Sequence, residues 1–130
     1  MEGKIIYKEL SYKIVGILFE VFNELGAGYQ EKYYEKAIEK CLLDENINHI
    51  RQAPYVLKMR GEIIGKYYLD FLIDDKIVLE LKKGDYFSRN NINQVKGYLQ
   101  ATGKKLGILA NFTSLGVKIK RILNPDNLKK

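Results

Sequence analysis

The chain has 130 residues, 46% hydrophobic and 29% charged, with a net charge of +6 from 22 basic and 16 acidic side chains; this is one domain's length, enough for a hydrophobic core. A single cysteine, Cys41, and a single histidine, His49, exclude an internal disulfide and a multi-cysteine zinc site. They also argue against a histidine-based metal site or a Ser/His/Asp triad. The basic balance permits attraction to a polyanion such as nucleic acid and is equally the mark of an ordinary soluble domain.

At the N-terminus, MEGKIIYKEL lacks the apolar stretch of a signal peptide, and no apolar run reaches the ~18–20 residues of a membrane span. A cytoplasmic protein with no membrane partner is expected. Leu10, Ile14, Ile17, Leu18, Val21, Phe22 and Leu25 recur at helical spacing and predict a helix over residues 7–25, stopped by Gly26. A second helix is predicted over residues 30–45, with Tyr34, Ala37, Ile38, Cys41 and Leu42 on its apolar stripe. Strands follow over residues 51–59, 63–73 and 76–83, the first two parted by Gly61. A third helix over residues 88–102 closes on Gly103. Two more strands, residues 105–111 and 116–123, precede a polar tail after Pro125 that is expected to fray. The order α-α-β-β-β-α-β-β predicts a mixed α/β domain, its sheet flanked by helices.

The stretch YLDFLIDDKIVLELKK, residues 68–83, places charged Asp70, Glu80 and Lys82 inside two otherwise apolar strands. Alternate strand residues share a face. Tyr67, Leu69, Phe71 and Ile73 make one apolar face; Ile77, Leu79 and Leu81 make the other strand's. Burying both sets on one side sets Phe71 opposite Leu79 and Ile73 opposite Ile77, with Asp74, Asp75 and Lys76 as a three-residue loop. The same register sets Asp70 opposite Glu80, about 5 Å apart at Cβ, with Lys82 about 7 Å further along. Directly opposed like charges repel, and a divalent cation or the lysine ammonium would offset that. A solvated strand face carrying a Glu–Lys pair fits the pattern equally well.

The run from Asp70 through Glu80-Leu81-Lys82 resembles the D-x(n)-E-x-K signature of the PD-(D/E)XK nuclease superfamily, whose restriction-endonuclease-like core has the predicted α-β-β-β-α-β order. Gly28-Tyr29-Gln30-Glu31-Lys32-Tyr33-Tyr34 resembles the motif that names its GxxExxY branch. The stretches KYYLD (66–70), NQVKGYL (93–99) and TGKKLGILANF (102–112) are similar to that branch too. Leu69 stands where the signature has proline, a degeneracy many members share. The resemblance implies a metal-dependent nuclease hydrolysing phosphodiester bonds in DNA or structured nucleic acid. It implies that Asp70 and Glu80, with the Leu81 carbonyl, ligate Mg²⁺ or Mn²⁺. Lys82 then positions or activates the attacking water, Glu31 serves as a further acidic ligand, and Gln94 supports the site.

Glu31 lies at the edge of the second helix's apolar stripe, and is equally a first-turn acid favouring the helix dipole. Gln94 and Tyr98, four residues apart, share a helix face; a plain polar rim is the other reading. Lys104, Lys105, Lys118, Lys120 and Arg121 are candidate phosphate contacts, and Tyr98 a candidate nucleic-acid contact. His49 reads as a surface residue, Cys41 as core, and Asp74, Asp75 and Asp85 as loop residues. Two other functions fit the fold: a nucleic-acid-binding module that does not cleave, and a small protein-interaction module. A domain this small offers little surface to grip a duplex, so a homodimer is expected.

Overall fold

The computed structural model describes residues 5–128; residues 129–130 of the predicted tail lie outside it. The elements in order are α1 (Lys8–Leu25), α2 (Glu31–Asp44), β1 (His49–Met59), β2 (Glu62–Ile73), β3 (Ile77–Lys83), α3 (Arg89–Thr102), β4 (Leu106–Phe112), β5 (Val117–Leu123) and a 3₁₀ turn (Pro125–Leu128). One sheet holds all five strands in the order β1-β2-β3-β4-β5. Only β3 and β4 are parallel; α3 is their crossover, as parallel neighbours require. No helix among the described residues is long and apolar enough to cross a membrane.

The β2–β3 hairpin takes the register that burial demands: Phe71 pairs with Leu79 and Ile73 with Ile77. Asp74 and Asp75 both hold positive φ in the loop, a conformation aspartate tolerates. Each sheet face is covered by helices. α1 and α2 lay Ile14, Ile17, Leu18, Val21, Tyr34, Ile38 and Leu42 over Phe71, Ile73, Ile77, Leu79 and Leu81. On the other face α3 packs Val95, Tyr98 and Leu99 against Val78, Leu109 and Ile122. The α3 contact is close: a Cβ on Gly107 of β4 would lie 2.5 Å from Val95 Cγ1, so glycine is needed there.

The structure corrects four expectations. The apolar set of β2 does not stay on one face: Phe71 and Ile73 join the α1/α2 core, but Leu69 joins the α3 core. The switch coincides with Gln52 on β1, which holds φ 54 between the paired rows Arg51–Phe71 and Ala53–Leu69. A residue in that conformation breaks the pleat, so positions of one parity change sides. Second, His49 is not at the surface. It opens β1 with its side chain 8% exposed, its ring nitrogens 3.1 Å from Glu39 Oε2 and 2.9 Å from the Ile47 carbonyl. Third, the start of the tail is anchored. Buried Asn124 donates to the Leu99 and Lys104 carbonyls, each at 2.8 Å, and accepts from the Asp126 N–H. Fourth, Tyr98 is buried rather than on a polar rim. Cys41 is half-buried at the edge of the α1/α2 core, and burial pushes its thiol pKa up.

Candidate active site

The sheet opens where the charged residues stand. The β2–β3 ladder ends at the Phe71–Leu79 pair, while β3 continues beside β4 through Lys83–Phe112. Parting strands leave backbone N–H groups without ladder partners, and a buried N–H must find another acceptor. Here the two carboxylates supply it. The Leu81 N–H donates to Asp70 Oδ2 and the Asp70 N–H donates to Glu80 Oε1, both at 2.8 Å. Each acid is thus pinned to the opposite strand, and its second oxygen makes no hydrogen bond among the described residues.

Glu80 is 5% exposed, and both carboxyls titrate well above the ordinary carboxylate range. Burial is the main cause for each. For Glu80 the charge of Asp70 adds to it, against the hydrogen bond from the Asp70 N–H and the pull of Lys82. For Asp70 the Leu81 N–H and Lys82 pull down, while Glu35 and Glu31 push up. Lys82, two residues after Glu80 on β3, shares its strand face, and the charges of Lys82 and Glu31 act on both acids. Glu31, first residue of α2, accepts from the Lys83 N–H at 3.0 Å. Burial, then Glu80, raises the Tyr98 phenol to about 12; Tyr98 stands on α3, which packs the sheet face opposite the one α2 covers.

The GxxExxY stretch explains how Glu31 is aimed. Gly28 makes the turn into α2 at φ 95. Tyr34, one helical turn past Glu31, is fully buried, stacks on Phe112 at 4.0 Å and 3°, and donates to the Gly26 carbonyl at 2.6 Å. The buried tyrosine ties the end of α1, the turn and the start of α2 to the floor of the site at β4.

Sequence reasoning missed Glu35. It is buried on α2, four residues after Glu31, and accepts from Arg51 Nε at 2.8 Å and Gln52 Nε2 at 2.7 Å. Arg51 also reaches Glu39 at 3.1 Å. The signal was present: Glu31, Glu35 and Glu39 form one i, i+4, i+8 row.

The other predicted residues divide. Gln94 donates to the Tyr98 hydroxyl at 3.0 Å and so lies beside the site behind that ring. Lys118 and Lys120 pair in register with Asn111 and Leu109, the β4 neighbours of Lys82 and Glu80, two strands away on the same rows. Lys118 Nζ donates to the Asp85 carbonyl at 2.7 Å and lies over the Tyr86 ring. Lys104 and Lys105 precede Leu106, the partner of Ile77, and so lie at the opposite end of β3 from Lys82. There the Lys104 ammonium is held by Asp75 at 3.0 Å. Arg121 donates to the Ile6 carbonyl, anchoring the start of the described chain.

The site therefore sits at the carboxyl ends of parallel β3 and β4, between the start of α2 and α3. In such sheets that is where ligands bind. A family model of the PD-(D/E)XK nuclease superfamily matches residues 8–122. The chain belongs to the PD-(D/E)XK nuclease superfamily. No functionally curated protein matches this nuclease-superfamily chain. Among solved structures, the crystal structure of SSO0001 superposes with a TM-score of 0.57 at 20% identity, over 92% of this chain and 58% of that one. An alkaline exonuclease (LHK-Exo) from Laribacter hongkongensis superposes with a TM-score of 0.50 at 10% identity, over 91% of this chain and 84% of its own. These likenesses establish a restriction-endonuclease-like fold. The superfamily chain spans just over half the length of SSO0001.

PD-(D/E)XK nucleases generally use divalent metals, and the donor chemistry here fits one. Asp70 and Glu80 are hard-oxygen donors whose mutual repulsion a cation would relieve. Among the described residues no group of three or more His, Cys, Asp or Glu side chains is placed to enclose a metal. Two carboxylates would supply part of a hard cation's coordination, and backbone oxygen and water would supply the rest.

The raised carboxyls have a consequence for metal-free protein. A carboxyl whose pKa is raised by folding holds its proton longer in the folded state. Its contribution to stability is full below the ordinary carboxylate range near pH 4 and is lost as pH rises through its folded value, about 8 for Glu80. Melting temperature in EDTA is expected to fall between pH 5 and pH 9. Glu80→Gln keeps an acceptor for the Asp70 N–H but loses the charge, so it is expected to melt on the order of 5 °C higher than wild type at pH 9. Circular dichroism melts check this; a variant less stable than wild type at pH 9 contradicts it.

Proposed function

We propose that the protein is a divalent-metal-dependent nuclease of the GxxExxY branch, hydrolysing phosphodiester bonds in DNA or structured nucleic acid. The observation that carries this reading is the pair of raised carboxyls, Glu80 buried and Asp70 half-buried, each pinned across the opening between β2 and β3, with Lys82 and Glu31 acting on both. A purely structural pair gains nothing from holding two like charges in that gap; a site for a dication does.

In this reading Asp70, Glu80 and the Leu81 carbonyl hold Mg²⁺ or Mn²⁺, which supplies charge neutralisation at the scissile phosphate. Lys82 orients the attacking water and stabilises the negative charge that develops on phosphate oxygens during in-line displacement. Its ammonium has no hydrogen-bond partner in the protein among the described residues, which leaves it available. Glu31 keeps its carboxylate at the rim through the Lys83 N–H, where it would serve as a further acidic ligand, direct or through water. Gln94 fixes the Tyr98 hydroxyl behind the acids. Lys118 and Lys120 on edge strand β5 extend positive charge along the rows that cross the site and receive the flanking phosphates. A second copy of the chain would add grip on a duplex.

The test is cleavage of labelled duplex, single-stranded and branched DNA and of RNA in Mg²⁺ and in Mn²⁺. Cutting of any member that EDTA abolishes supports the reading. Tight, salt-dependent binding of nucleic acid with no cutting in either metal identifies a non-cleaving binding module instead.

A further inference from the structure

Three tyrosines meet beside the carboxylates on the α3 side. Tyr55 of β1 and Tyr67 of β2 are cross-strand partners, their rings 6.2 Å apart and nearly parallel. Tyr98 of α3 stands edge-on to both, at 5.5 and 5.6 Å. With Leu57, Gln94 and Gly97 they line a cleft of about 150 Å³. Pockets for drug-sized molecules run to about 300–1,000 Å³; this one suits a single planar ring. Gln94 gives its Nε2 to Tyr98, and its Oε1 makes no hydrogen bond among the described residues.

Gly97 stands in mid-helix, where glycine costs stability relative to alanine. Its backbone does not need glycine, since its φ is not positive. No neighbour needs it either, because a Cβ built there meets nothing within 4 Å. What glycine does at this position is keep one wall of the cleft open.

The geometry points to a base-binding subsite: the tyrosine cleft seats one unpaired nucleobase of the substrate strand, stacked on Tyr67 and Tyr55, while that strand's backbone runs on to Asp70 and Glu80. The span fits. Tyr67 precedes Asp70 by three strand residues, about 10 Å, or about three stacked nucleotide steps. Every base has a face that stacks on an aromatic ring, so the cleft is tolerant of sequence. Gln94 Oε1 accepts from an exocyclic amino group at the ring's edge. A base held in paired duplex cannot enter, which makes single-stranded or locally unpaired nucleic acid the preferred substrate. The inference rests on the nuclease reading above and adds the substrate class to it.

The probe is a fluorescein-labelled single strand compared with its perfect duplex, with binding read by anisotropy in EDTA and cleavage read in Mn²⁺. Gly97→Ala adds a helix-favouring methyl at that wall and is expected to raise the melting temperature by about 3 °C. Gly97→Leu fills the cleft and is expected to remain folded. It should lower the ratio of single-strand to duplex affinity about tenfold, and Tyr67→Ala, which removes the stacking face, should do the same. If folded Gly97→Leu and Tyr67→Ala keep the wild-type ratio while wild type cuts, the subsite is overturned and the nuclease reading stands. If wild type neither binds nor cuts any strand, both fall together.

Discussion

Lys82→Ala is expected to reduce cleavage by about 10²–10³-fold while leaving the melting temperature within about 2 °C of wild type. Both halves follow from its surroundings. Lys82 is half-buried and makes no hydrogen bond or ion pair with the protein among the described residues, so little packing depends on its ammonium. Its charge nevertheless acts on both Asp70 and Glu80, which places it beside the point where phosphate charge would build up. Groups that stabilise charge only in the transition state cost turnover, not affinity, when removed. Single-turnover rates in Mn²⁺ for wild type, Lys82→Ala and Lys82→Arg measure this. Arginine should restore little, because a planar fork does not replace a compact ammonium. A Lys82→Ala protein that cuts within tenfold of wild type removes the lysine from the chemistry.

The second large effect concerns folding. Tyr34→Ala is expected to cost about 3–5 kcal/mol, from loss of a fully buried ring stacked on Phe112. Tyr34→Phe keeps the ring and loses the hydroxyl's two bonds, the 2.6 Å donation to the Gly26 carbonyl and the 3.4 Å bond from the Tyr29 N–H, at about 1–2 kcal/mol. Urea unfolding separates the two. Equal losses for both would mean that the hydroxyl, not the ring, holds the turn. A loss below about 1 kcal/mol for alanine would mean the turn is held by other contacts. In the GxxExxY stretch, then, tyrosine serves the fold and glutamate faces the site. The spacing of three puts Tyr34 inside and Glu31 at the rim of one helix.

What was readable in the chain was what a period of two or 3.6 encodes. All eight predicted elements form within about two residues of their expected ends. The β2–β3 register followed from burial alone, and with it the meeting of Asp70 and Glu80. What failed to read was non-local. Nothing about glutamine signals the positive φ of Gln52, yet that residue moves Leu69 to the α3 core. His49 read as a surface residue and Arg51 as an ordinary strand residue until α2 laid Glu35 and Glu39 across them. Lys104 read as a free cation because its captor, Asp75, is 29 residues away in sequence. The outline of the site was legible for the same reason as the sheet. Its finer part was not: the carboxylates take over the ladder where two strands part, which only the three-dimensional path of β2 reveals.

Everything proposed for this domain turns on whether the two pinned acids hold a divalent cation. The direct measurement is Mn²⁺ binding by electron paramagnetic resonance at pH 8, comparing wild type with the Asp70→Asn/Glu80→Gln double variant. Loss of the free-Mn²⁺ signal in wild type, and its persistence beside a folded double variant, is the predicted result. Equal binding by both proteins, or none by wild type, contradicts the account.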